Sequence, residues 1–219
     1  LPFLFANRQQ AYEVLDGPIG QELLRKLETV NLVGLAYAER GFRNLTNSKK
    51  EIRVPADLRG LRIRVMQNPV YIDTFRTLGA NTVPMAWTEA LTALQQRTID
   101  GQENPINVIH SFKLNETQKF LSLTRHTYAP ALFVMSRRVF QRFPKAQQDL
   151  LVKAAQEASA HVRKVNEEME SAQLAELRTL GMQVIEPDIN AFKEAVGPVY
   201  AKYEKTFGDY LKRINAGLK

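Results

Sequence analysis

Leu61-Arg62-Ile63-Arg64-Val65 alternates apolar and basic residues with the period of a strand. That spacing puts Leu61, Ile63 and Val65 on one face and both arginines on the other. Pro69 then opens a helix through Leu78, and Gly79 stops it. A short strand is predicted around Thr82-Val83-Pro84-Met85, where Pro84 argues for an edge or a strand end. A helix beginning at Trp87 or Thr88 runs to Arg97, and the chain then reaches Ile99-Asp100-Gly101-Gln102-Glu103-Asn104-Pro105. Thr117 to Leu123 and Tyr128 to Ser136 read as two further strands. Upstream, residues 8–30 read as helix punctuated by Gly17-Pro18, with Leu15, Ile19, Leu23, Leu24 and Leu27 as the apolar stripe. Leu32 to Tyr37 has strand length, and the polar stretch from Asn44 to Lys50 reads as a crossover between lobes. Strands alternating with roughly ten-residue helices predict an α/β fold with a largely parallel sheet.

Residues 145–180 contain neither Gly nor Pro, and Gly181 follows as a stop. A continuous helix there would be roughly 54 Å long. Leu151, Ala155, Ala158, Val162, Val165, Met169 and Ala172 form a heptad-like seam along it. The length favours a helix lying along two lobes over a dimeric coiled coil. Met182 to Ile185 is a short strand, and Asp188 caps a final amphipathic helix carrying Phe192, Val196, Val199, Tyr203 and Phe207.

Composition changes this picture in two places. Among 219 residues there is no cysteine, which removes disulfides, thiol catalysis and cysteine-ligated metals. The formal charge of +7 is uneven. From Arg43 to Arg76 eight basic residues stand against three acidic ones (8 − 3 = +5), and Thr117 to Gln148 holds six basic residues and no acid, leaving 7 − 5 − 6 = −4 elsewhere. A nucleic-acid binder is not expected, because neither window carries a zinc-finger, RNP or KH pattern. No apolar run reaches the roughly 18–20 residues of a membrane span. Leu1-Pro2-Phe3-Leu4-Phe5 shows no targeting segment and reads as a sequence cut inside a domain.

An enzyme is not expected. His110, His126 and His161 have no metal-ligand spacing, His126 reads as a loop residue, and there is no nucleophile elbow, P-loop or GxGxxG. No catalytic, cofactor or metal residue is assigned. The binding chemistry is better placed. Arg64 lies near a strand's carboxyl end, where open α/β sheets take ligands, and a guanidinium there can hold a carboxylate through two parallel hydrogen bonds. Asn104 offers an amide at another strand end, and Trp87 a flat apolar wall at a helix start.

Taken in order, Gly41-Phe42-Arg43-Asn44-Leu45-Thr46, Leu61-Arg62-Ile63-Arg64-Val65-Met66, Pro84-Met85-Ala86-Trp87-Thr88-Glu89, Leu94-Gln95-Gln96 and Asp100-Gly101-Gln102-Glu103-Asn104-Pro105 resemble the DctP-type solute-binding subunit of tripartite ATP-independent periplasmic (TRAP) transporters. The resemblance covers essentially the whole chain. It implies a two-lobed, type II-like periplasmic binding protein of the Venus-flytrap kind, with the long helix spanning both lobes and the N-terminal βαβ portion of lobe I missing. Divided on that pattern, residues 1–42 and 130–165 form lobe I, and 43–129 with 166–219 form lobe II. The family arginine maps onto Arg64 and would clamp the ligand carboxylate; Asn104 would donate beside it, Trp87 would wall the pocket, and Arg43 matches a second ligand-contacting arginine. Asp100 and Glu103 would hold the loop. The implied function is a periplasmic receptor, monomeric with a dimer as the alternative, that delivers a small organic acid to the TRAP permease subunits. A sensor module of the same fold is the alternative. No cofactor is implied.

Overall fold

Pro18 divides the first helical stretch, because its missing N–H is harmless only in a helix's first turn. In the computed structural model, which describes residues 1–218, α1 (Arg8–Asp16) ends before Gly17 and α2 (Pro18–Lys26) begins after it. There follow β1 (Leu32–Asn47), β2 (Arg62–Val65), α3 (Pro69–Thr77), β3 (Asn81–Pro84), α4 (Trp87–Gln95), β4 (Gly101–Pro105), α5 (Ile106–Ser111) and β5 (Phe120–Ser136). The chain continues through α6 (Arg137–Phe140), α7 (Lys145–Thr179), β6 (Gln183–Ile185), α8 (Ile189–Ala195) and α9 (Gly197–Gly217). Six strands share one sheet in the order β3-β2-β4-β1-β5-β6. β2 is parallel to both β3 and β4, β5 is parallel to β6, and β1 runs antiparallel to β4.

The chain divides into two units. The first comprises Leu1–Leu4, Phe42–Thr127 and Glu170–Thr206; the second comprises Phe5–Gly41, Tyr128–Met169 and the segment beginning at Phe207. Within the first unit, Leu61, Ile63 and Val65 fulfil the period-2 pattern and join Leu45, Phe75 and Phe192 in one apolar cluster, around α3 and α8. A separate cluster gathers Leu94 of α4, Ile106 and Ile109 of α5, Leu121 and Leu123 of β5, and Leu177 near the end of α7. Within the second unit, Ala11, Val14 and Leu15 of α1, Leu24 of α2, Ala36 to Ala38 of β1 and Ala155 of α7 are buried.

Four expectations change. β1 continues through Asn47, so Asn44 to Asn47 are strand and not crossover. Polar side chains survive there because they are bonded: the Asn44 amide donates to Phe42 O and its Oδ1 accepts from the Arg125 N–H. The two strands around residue 126 are one, β5, and His126 is part of it. The last helix is two, α8 and α9, because Pro198 cannot donate back along α8. The Asp188 cap stands, its Oδ1 accepting from the Ala191 N–H at 3.1 Å.

The fourth change concerns α7. Met169 is 49% exposed and Ala172 is also exposed, whereas Ser159, Gln173 and Leu177 are buried. The buried face includes polar residues that an apolar count passes over. Ser159 Oγ donates to Tyr37 O and the Asn166 amide donates to Glu39 O at 2.9 Å, all within the second unit.

Candidate functional site

The parallel strands of the first unit end together, and their last residues carry the chemistry. Arg64 is the third residue of β2, pairs with Val83 of β3 and Gln102 of β4, and is 4% exposed. Its Nε and Nη2 both donate to Met85 O, at 3.1 and 2.8 Å. Among the described residues no carboxylate pairs with it. Burial pulls this guanidinium below its ordinary pKa; the nearby Glu103 charge opposes that pull and the Arg43 charge adds to it. The group nonetheless stays cationic, since arginine is not deprotonated in proteins. A buried cation bonded only to a carbonyl is costly, and an anion would relieve the cost.

Trp87 is the first residue of α4, and its ring centre lies 5.4 Å from the Arg64 guanidinium carbon. The indole also meets Phe112 edge-on, at 5.2 Å between centroids. This fixes the ring as a wall and adds a cation–π attraction of about 0.5–2 kcal/mol to Arg64.

Asn104, near the end of β4, is 7% exposed. Its Oδ1 accepts from Arg43 Nη2 at 3.0 Å and its Nδ2 donates to Gln102 Oε1 at 2.6 Å. Arg43, on β1, is committed to Glu103: Nε donates to Oε2, and Nη2 to Oε1 at 2.8 Å and to the backbone oxygen at 2.7 Å. Burial would lower the Arg43 pKa, but the Glu103 charge and hydrogen bond outweigh it and raise it. The Tyr71 ring lies 5.5 Å from the Arg43 guanidinium carbon. Arg64, Trp87, Asn104 and Arg43 are therefore brought to one end of the sheet. Arg64 lacks an anionic partner there, and Arg43 already has one.

Sequence reasoning missed His126. It is 1% exposed, packs edge-on against Phe75, and lies with Nε2 3.0 Å from Glu103 Oε2 and Nδ1 2.8 Å from Thr124 Oγ1. A carboxylate only accepts, so Nε2 carries the proton and Nδ1 accepts from the threonine hydroxyl. Burial lowers the His126 pKa, the hydrogen bond and charge of Glu103 opposing it in part. Burial alone would raise Glu103, but Arg43 and His126 together hold it below the ordinary carboxylate value. No motif spacing reveals this cluster, because its members meet only through the pairing of three strands.

The rest of the Asp-Gly-Gln-Glu-Asn-Pro run is structural. Asp100 holds Arg62 through its backbone N–H at 2.9 Å and its guanidinium at 3.0 Å. At Gly101 an added Cβ would lie 2.2 Å from Thr46 O, so a side chain cannot fit between β4 and β1. Gln102 Nε2 donates to Thr46 Oγ1, which donates to Gln118 Oε1, each at 2.9 Å.

A family model described as bacterial extracellular solute-binding protein, family 7 (DctP), matches residues 1–206. The chain is 46% identical over 209 residues to a solute-binding protein of Verminephrobacter eiseniae, covering 95% of this chain and 62% of that one. It is 43% identical over 220 residues to the 2,3-diketo-L-gulonate-binding periplasmic protein YiaO of Escherichia coli, covering 98% and 67%. A crystal structure of a TRAP periplasmic solute-binding protein from a Polaromonas species, bound to D-erythronate, superposes with a TM-score of 0.95 at 45% identity, covering 99% of this chain and 71% of that one. The chain thus spans about two thirds of the length of these curated relatives. Such relatives are two-lobed binding proteins for transport and not enzymes. The match along 206 residues and the two-unit α/β architecture lead to one assignment: the chain belongs to the DctP family of TRAP solute-binding proteins.

Proposed function

We propose that this protein is a periplasmic receptor that binds a small organic acid and passes it to the membrane permease of a TRAP transporter. The observation that carries the proposal is the buried Arg64 guanidinium, bonded to a backbone carbonyl and lacking a carboxylate. A ligand carboxylate would supply the missing charge and accept from the N–H groups that Met85 leaves uncommitted. Asn104 keeps one amide hydrogen for the same group or a neighbouring hydroxyl, and Trp87 walls the apolar side. Arg43 acts through Asn104, whose side-chain oxygen it holds.

Two relatives support the choice of ligand class: one binds D-erythronate and one is named for 2,3-diketo-L-gulonate. We assign this chain a polyhydroxylated or keto monocarboxylate of similar size. The test is calorimetric titration with D-erythronate and with erythritol, which keeps the four-carbon polyol and lacks the carboxylate. Saturable binding of the acid alone is expected. Equal binding of the polyol would overturn the reading.

A further inference from the structure

The opposite end of the sheet, at the amino ends of β4, β5 and β6, holds a cavity of about 400 Å³ inside the first unit. Ser48 and Lys49 follow β1, Lys119 precedes β5, Gly181 precedes β6, and Arg97 lies just past α4; all line it, with Asn115 and Gln118. This is the far edge from Arg64 and Asn104, which lie toward the carboxyl ends of β2 and β4.

Its chemistry is cationic and polar. Lys49, Arg97 and Lys119 stand against Glu116, which leaves 3 − 1 = +2 on the lining. Lys49 Nζ lies 3.8 Å from Asp100 Oδ1, whereas neither the Arg97 guanidinium nor the Lys119 ammonium pairs with a carboxylate among the described residues. All three cations are exposed, and two further features shape the ground around them. Arg97 occupies φ 57°, a left-handed position past a helix end where glycine is favoured, so it stands there at a backbone cost. Gln118 is 1% exposed and its amide is locked, with Oε1 accepting from Thr46 and Nε2 donating to Thr117 O at 3.1 Å. Gln118 is therefore a fixed part of the wall. Beside it the Asn115 side-chain oxygen is buried without a hydrogen-bond partner.

We infer that this cavity is a second ligand site, for a small polyanion carrying two or more carboxylate or phosphate groups. Arg97, Lys119 and Lys49 meet the charges, and the Asn115 amide meets a hydroxyl or, turned over, an anionic oxygen. Its chemistry differs from that of the Arg64 site, which offers one unpaired guanidinium to one carboxylate.

Citrate and inorganic pyrophosphate serve as probes, distinguishing carboxylate from phosphate as the source of charge. Calorimetric titration of either into the protein is expected to saturate, and Arg97→Gly and Lys119→Gln each to weaken binding about tenfold. Arg97→Gly relieves the left-handed residue, so its melting temperature is expected to equal or exceed the parent's while its polyanion affinity falls. D-erythronate affinity stays unchanged in both variants. Arg64→Gln, which removes the proposed acid site, leaves citrate and pyrophosphate binding intact. The inference is overturned if neither probe saturates at low millimolar concentration, or if affinity is lost in Arg64→Gln and kept in Arg97→Gly.

Discussion

His126 and Glu103 show how much of the candidate site depends on groups buried among other side chains of the protein. Glu103 is fully buried, and it remains a carboxylate because Arg43 and the His126 N–H bond to it. Removing its charge leaves Arg43 buried with only the neutral Asn104 and backbone oxygens to accept from it, so Glu103→Gln is expected to cost about 3–5 kcal/mol of unfolding free energy in urea titrations. A loss under about 1 kcal/mol would show that the pair is not the anchor. His126 adds a pH dependence with a definite sign. Its folded pKa lies below the 6.5 of a free imidazole, so the unfolded chain binds the proton more readily. Stability is therefore full above about pH 6.5 and falls as the pH drops from there toward the folded value. Melting curves from pH 7.5 to 5.5 should show that decline, and His126→Asn should flatten it; an unchanged slope in the variant would remove His126 as its source. The sequence made Arg64, Trp87 and Asn104 legible because they sit in short runs whose order is itself a pattern. His126 was illegible because its partner lies 23 residues away on a strand it meets only after folding.

At the scale of elements, period and punctuation carried most of the information. Gly17-Pro18, Pro69, Gly79 and Gly181 mark helix ends close to where the structure has them, and the alternation in β2 predicts its buried face. What failed was any stretch where polar residues are buried. Asn44 to Asn47 read as a linker because their partners, among them the Arg125 N–H, are distant in sequence. The buried face of α7 was misplaced because Ser159, Asn166 and Gln173 lie along it, bonded or packed, in place of aliphatic residues. That face can be tested. Leu177 is fully buried and Met169 half exposed, so Leu177→Ala is expected to cost about 2–5 kcal/mol. Met169→Gln should stay within about 0.5 kcal/mol, and comparable costs at the two sites would restore the apolar seam. Gly101 makes a parallel case on the sheet. With Thr46 O 2.2 Å from a Cβ, Gly101→Ala must part β4 from β1, at a cost of about 1–3 kcal/mol in the same urea titrations. A neutral result there would mean that the strands yield freely.

For the whole molecule, the basic excess of residues 43–76 resolves into groups with separate duties. Arg62 and Lys49 lie against Asp100, Arg53 against Glu51, and Arg43 against Glu103. Arg64 alone among these carries its charge into a buried position without an acid, and the receptor reading rests on that asymmetry. The direct measurement is the calorimetric affinity for D-erythronate of the parent protein and of Arg64→Lys. Lysine keeps the charge but cannot hold a carboxylate and the Met85 carbonyl together through a planar fork, so a loss of about tenfold or more is predicted. Affinity within about twofold of the parent would contradict the assignment of Arg64 as the group that holds the acid.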